Sequence, residues 1–104
     1  MKIEILNSAK KDLSDGAKFY ESSERGLGSY FLDSLFSEID SLLIYAGVHQ
    51  VVNSGLYRMY AKRFPFAVYY KQDTDFIRVY AVLDTRRKPA WTRNRIERLK
   101  NSQN

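Results

Sequence analysis

Apolar and polar positions change their spacing along the chain, and the first part combines a short alternating run with a helical stripe. In Lys2 to Leu6, Ile3 and Ile5 alternate with charged neighbours, which is typical of a strand with one buried face. After this run, apolar residues recur at intervals of four, four and three, at Ala9, Leu13, Ala17 and Tyr20. This spacing predicts a helix that begins at Asn7 or Ser8, either of which can cap an N-terminus.

A second helical stripe follows a glycine-containing connection at Ser22 to Gly28. Its members are spaced by three or four residues, at Phe31, Leu35, Ile39, Leu42 and Ala46. Gly47 stands just past the last apolar turn, where a left-handed residue commonly ends a helix. The first half of the chain is therefore predicted to be a strand followed by a helical hairpin.

The second half alternates with period two and predicts strands at Tyr57 to Arg63, Phe64 to Gln72 and Phe76 to Asp84. In the last of these, Ile77, Val79, Ala81 and Leu83 are predicted to share one face. Beyond Pro89, Ala90 to Lys100 is predicted to form a short basic helix. The order indicates one α+β domain over residues 1–104, with an N-terminal strand, a helical hairpin and a three-stranded antiparallel meander in one sheet.

The sheet face opposite the hairpin is predicted to mix cations with aromatic rings. Such a surface suits nucleic acid, because cations hold phosphates while rings stack on bases. Its predicted members are Arg58, Tyr60, Lys62, Tyr69, Lys71, Arg78 and Tyr80, continued after the last strand by Arg86, Arg87 and Lys88.

Charge sharpens this interpretation because the net +5 is unevenly distributed. Residues 1–55 carry five basic and eight acidic side chains (−3), residues 56–85 five and three (+2), and residues 86–104 seven and one (+6). The second half is thus suited to a negative partner, which could be nucleic acid or an acidic protein. A merely solvated basic end would give the same charge pattern.

Composition narrows the chemistry further. The chain has no cysteine and a single histidine, His49, so neither a disulfide nor a cysteine-ligated metal is expected, and we predict no cofactor. No apolar run reaches the roughly 20 residues of a membrane span, and no signal peptide is recognisable, so we expect a cytoplasmic protein without membrane contact.

Order and motifs together resemble the RelE/ParE superfamily of toxins from type II toxin–antitoxin systems. The resemblance covers the chain from the first strand to about Arg95. Its most specific pieces are Gly55 to Arg58, Phe64 to Tyr70, and Val79 to Leu83 followed by the run from Arg86 to Trp91.

The resemblance implies a toxin, of the kind associated with plasmid stabilisation, that a cognate antitoxin wraps and neutralises in a toxin–antitoxin hetero-oligomer. RelE-like members cleave mRNA on the ribosome without metal, whereas ParE-like members inhibit DNA gyrase. By position, Arg58 and Lys62 match basic residues of the family's second strand, and Arg86 or Arg87 matches the basic residue after the fourth strand. We therefore predict Arg58, Arg86 and Arg87 as catalytic cations. The predicted nucleic-acid-binding residues are Lys62, Tyr69, Lys71, Arg78 and Lys88, and the predicted antitoxin-binding residues are Trp91 and Arg95.

Two departures from the RelE-like pattern leave the target open. Ala67 replaces an arginine of the third strand, and Trp91 occupies the position of a late tyrosine and cannot exchange a proton. Asp84 stands where relatives often have histidine, and could orient Arg86 or simply form a turn. The alternatives are therefore an endoribonuclease, an inhibitor of gyrase, or a non-toxic basic domain that binds nucleic acid.

Overall fold

The computed structural model describes residues 1–52 and 55–101, except for the side chains of residues 100 and 101. Its elements are β1 (Lys2–Ile5), α1 (Asn7–Ser23), α2 (Leu27–Asp40), α3 (Leu42–Tyr45), β2 (Gln50–Val51), β3 (Tyr57–Tyr60), β4 (Phe66–Gln72), β5 (Phe76–Asp84) and α4 (Pro89–Asn101). The strands form one sheet in the order β1-β5-β4-β3-β2. β1 runs parallel to β5, and the other neighbours are antiparallel.

The α+β class is confirmed, with two elements that the sequence pattern did not predict. The second apolar stripe is divided into α2 and α3, because the backbone tightens at Ser41 and Ile44 N–H donates to the Ser41 carbonyl three residues back. β2 adds an edge strand beside β3, and β3 itself ends at Tyr60 rather than at Arg63.

The helical hairpin covers one face of the sheet with the larger of two apolar cores. Phe31, Leu35 and Ile39 of α2 are fully buried there against alternate residues of β4, including Val68 and Tyr70. A closely packed pair of helices explains the glycine in α1. A Cβ on Gly16 would lie 2.6 Å from the Phe31 ring, so only glycine admits this approach.

The opposite face carries a second core beneath α4. Ala67 and Tyr69 of β4 are buried there with Ile96 and Leu99 of α4. The expectation that this face is open is therefore wrong for its centre, because the apolar positions of the C-terminal helix need a surface to bury. Among the described residues, the part of this face that stays accessible is its rim around α4.

A β-bulge in β5 overturns the expectation that its four apolar residues share one face. Tyr69 pairs with Ala81 and Tyr70 pairs with Val79, so Tyr80 is an extra residue in β5. Ile77 and Val79 accordingly lie in the hairpin core, whereas Ala81 and Leu83 lie beneath α4. Simple alternation fails because one inserted residue reverses every later side chain.

Two polar side chains of α1 continue the edge of β5 where β1 ends. Ser8 Oγ donates to the Tyr80 carbonyl at 2.6 Å, and Asp12 Oδ2 accepts the Val82 N–H at 3.0 Å. The expected helix cap at Asn7 or Ser8 is thus incorrect: the N-cap is Leu6, which has no side-chain cap bond. Ser8 and Asp12, one helical turn apart, stabilise the strand because backbone groups left without a partner are costly.

Candidate anion-binding pocket

A cavity of about 470 Å³ lies between α4 and the accessible rim of the sheet, and we call it the arginine pocket. Its charged lining consists of three arginines and two carboxylates, which gives it a formal charge of +1. These residues are Arg58, Arg87, Arg93, Asp84 and Glu97. The remaining walls are aromatic, apolar, hydroxyl or amide side chains, some of them from β2 and β4. Such a mixture of a few cations and apolar surface is typical of a ligand site.

Arg58 projects into the pocket from β3 and is held by two neighbours. Its Nη2 donates to Gln50 Oε1 at 2.9 Å, and its Cζ lies 5.0 Å from the centre of the Tyr60 ring. Its Nε is buried and has no hydrogen-bond partner within the described structure. An unpaired buried N–H costs about 1–3 kcal/mol, so a rearrangement that gave this nitrogen an acceptor would stabilise the side chain.

Arg87 reaches the same pocket from the turn after β5. Its Cζ lies 4.4 Å from the centre of the Trp91 ring, which fixes the guanidinium over the first turn of α4. The structure therefore brings Arg58 and Arg87 together as the sequence predicted, although they lie far apart in the chain. Their proposed catalytic role stays a prediction.

Arg86 does not line the arginine pocket. It forms a two-pronged ion pair with Asp84, with Nη2 to Oδ2 at 2.8 Å and Nε to Oδ1 at 3.0 Å. This hydrogen-bonded partner raises the pKa of Arg86 and lowers the pKa of Asp84. Asp84 Oδ1 also accepts the Arg86 N–H at 2.8 Å, so the aspartate both orients the arginine and forms the turn.

The other predicted nucleic-acid residues are dispersed. Arg78 pairs with Glu4 at 2.7 Å and with Asp73 at 2.6 Å, so its charge is already neutralised. Lys71 lies over the Tyr80 ring, with Nζ 5.7 Å from its centre. Lys62 and Lys88 are exposed, Lys62 just after β3 and Lys88 just before α4, and neither lines the pocket.

Tyr69 lines the pocket but is mostly buried beneath α4. Burial raises the pKa of its hydroxyl above the usual value of 10.0, against the opposing effect of Arg58. The neutral phenol therefore prevails at neutral pH, and Tyr69 is a poor general base. His49 cannot take that role in the pocket, since it lies on the hairpin side in a hydrogen bond with the Tyr70 hydroxyl.

Arg95, predicted to contact an antitoxin, instead forms an ion pair within the protein. Its Nη1 lies 2.9 Å from Asp12 Oδ1 and its Nη2 lies 3.0 Å from Asp12 Oδ2. The two side chains are only 18% and 11% exposed. Burial raises the pKa of Asp12, and Arg95 acts in the opposite direction. This pair joins α4 to α1, and Trp91 packs partly buried on the same helix.

Gln50, Arg93 and Glu97 are among the pocket residues that the sequence reasoning missed. Gln50 belongs to the unpredicted strand β2 and gave no signal. Arg93 and Glu97 lie four residues apart on α4, one position after Thr92 and Ile96, which also line the pocket. Helical phase within the predicted C-terminal helix could have placed these two beside Ile96 on one face.

Within residues 1–52 and 55–101, no group of three potential metal-ligating side chains occurs. None of the helices in that part of the chain has the length and apolar character needed to cross a membrane.

The strand order, the helical hairpin and the C-terminal helix define a RelE/ParE-like α+β fold. The chain is similar to a chain of the solved structure described as "Chromosomal ParDE TA system from P. aeruginosa". The similarity covers 79% of this chain and 92% of that chain, with a TM-score of 0.71 and 16% sequence identity. No protein-family model matches the sequence, and no curated protein does. The fold-level part of the RelE/ParE resemblance is thereby confirmed.

Proposed function

We propose that this protein is the toxin of a toxin–antitoxin module and is neutralised by a cognate antitoxin in the cytoplasm. The observation that carries the proposal is the fold, which matches nearly the whole of a chain from a ParDE system. The charge distribution supports it, because a basic second half suits both a polyanionic target assembly and an acidic antitoxin segment.

We further propose that the toxin acts by binding its target, as ParE-like inhibitors of DNA gyrase do, rather than by cutting RNA. Cleavage through the 2′-hydroxyl needs a base, cations for the developing charge on phosphorus and an acid for the leaving oxygen. The arginine pocket offers cations, but Tyr69 holds its proton more firmly than free tyrosine does. Asp84 is committed to Arg86 and is therefore a poor proton donor.

A second candidate is ribosome-dependent, metal-independent cleavage of mRNA. It is favoured by the shared pocket of Arg58 and Arg87, which has room for a nucleotide, and by the exposed Tyr60 ring beside Arg58. In this candidate mechanism the two arginines bind the scissile phosphate, and the ribosome supplies the general base.

Regulated expression in a bacterial host tests the toxin proposal itself. We expect growth arrest that is relieved when the neighbouring antitoxin gene is co-expressed. Normal growth at high levels of the folded protein would contradict the proposal and favour a non-toxic nucleic-acid-binding domain.

Two assays with purified protein separate the two modes of action. Inhibition of gyrase supercoiling with intact messages in a translation reaction supports binding, whereas cut messages with unaffected supercoiling support cleavage. Arg58→Ala and Arg87→Ala should weaken whichever activity is present. Arg63→Ala, an exposed arginine that does not line the pocket, is the matched control and should leave the activity unchanged.

A further inference from the structure

The connection from α2 to β3 exposes a run of large apolar side chains, of which Val51 also lines the arginine pocket. Five side chains are between 52% and 78% exposed, with Ile44 at 78% and Val48 at 74%. We call them the apolar belt: Leu43, Ile44, Tyr45, Val48 and Val51. The sequence from Ser41 to Tyr57 contains no Asp, Glu, Lys or Arg, although 28% of the whole chain is charged.

Val51, the last residue of the belt, lies in the edge strand β2, and this edge of the sheet lacks the usual protection. Edge strands commonly carry charged residues, which discourage pairing with another sheet. β1 follows this rule at one edge, since Lys2 and Glu4 are exposed. β2 at the other edge consists of Gln50 and Val51, which are exposed and uncharged. Exposed apolar surface of this extent usually marks an interaction site.

We propose that the apolar belt is a contact surface between two copies of this chain. Each copy carries +5, so the copies repel each other except where charge is absent, and the belt lies in the longest charge-free stretch of the sequence. An acidic antitoxin or a nucleic acid gains most from cations, which the belt does not provide. In a two-fold symmetric dimer the same patch of each copy faces the other, and a patch without charge does not repel its own copy.

The size of the belt sets the strength of the contact. Five large side chains that are more than half exposed offer on the order of 400–500 Å². A standard interface buries about 800 Å² per partner, so this contact belongs to the weak class. The two-residue β2 can add only a few backbone hydrogen bonds across the two-fold axis. We therefore expect a dimer that forms at micromolar concentration and dissociates on dilution.

Sedimentation equilibrium of the purified full chain over a concentration series tests the proposal. The chain should pass from monomer to dimer, and added salt should favour the dimer because it screens the +5 charges. Ile44→Glu and Val48→Glu should each weaken association by about tenfold or more, since each puts two like charges into one contact. Phe19→Glu is the control, because Phe19 is 57% exposed on α1 outside the belt, and it should leave association unchanged.

A wild-type chain that stays monomeric throughout the series would overturn the proposal. So would an Ile44→Glu or Val48→Glu variant that leaves the dimer intact while circular dichroism shows a native fold. Loss of antitoxin binding in Ile44→Glu, with a monomeric wild type, would assign the belt to the antitoxin and overturn the two-copy contact. Growth arrest is measured separately, so failure of the toxin proposal is distinguishable from failure of the dimer.

Discussion

The ion pair between Asp12 and Arg95 gives the sharpest prediction about how α4 is held. In the native protein the Asp12 side chain is 11% exposed, and Arg95→Ala leaves its carboxylate with the Val82 N–H as its remaining hydrogen-bond partner. Breaking a fully buried pair costs about 3–5 kcal/mol, and the small remaining exposure of both groups reduces our expectation to about 2–3 kcal/mol at neutral pH.

The same prediction has a definite dependence on pH. Burial raises the pKa of Asp12 in the folded state, so the folded protein binds this proton more tightly than the unfolded chain. The contribution of Asp12 to stability is therefore fully present below its unfolded value, near 3.8, and is lost as pH rises through the folded pKa. Removing Arg95 takes away the group that lowers this pKa, so the deficit of Arg95→Ala should shrink as pH falls.

Urea unfolding at pH 7 and pH 5, followed by circular dichroism, measures both parts. Arg98→Ala removes an exposed arginine from the same helix and should change stability by less than about 0.5 kcal/mol. The single tryptophan, Trp91, lies on α4, so a soluble quencher should reach it more readily in Arg95→Ala if the helix detaches. A deficit below about 0.5 kcal/mol at pH 7, or one that is equal at both pH values, would refute the reasoning.

Three further substitutions test the packing. Gly16→Ala should destabilise the protein by about 1–3 kcal/mol in urea unfolding, because its Cβ would lie 2.6 Å from the Phe31 ring; a gain in stability would contradict this packing. Ser8→Ala should cost about 0.5–1.5 kcal/mol in the same assay by removing the donor to the Tyr80 carbonyl, and faster amide exchange should be confined to the bulge; an unchanged midpoint would argue against that bond. Arg58→Met should leave the unfolding midpoint unchanged or raised, since it removes a buried unpaired N–H, and it should abolish the effect that the wild-type toxin has on supercoiling or on messages. A large loss of stability would show that Arg58 is structural.

The candidate site was only partly accessible to sequence reasoning. The sequence placed Arg58 and Arg87 on the correct face because strand alternation and a short turn constrain where such side chains project. It placed Arg86 with them, yet Arg86 is committed to Asp84, and it counted Arg78 as free although two carboxylates neutralise it. The pair between Arg78 and Glu4 joins distant parts of the chain, which no local pattern encodes, whereas the pair between Asp84 and Arg86 is local and was one of the two roles expected for Asp84.

The sequence by itself determined the α+β class, the helical hairpin, the meander and the basic second half. These depend on periodicity and on charge, which are properties of short stretches of chain. The tertiary structure decided which surface stays open. The bulge at Tyr80 turns Ala81 and Leu83 away from the hairpin, and α4 then buries them. The arginine pocket exists because that helix, fastened by Arg95 to Asp12, covers the centre of the sheet and leaves its rim exposed.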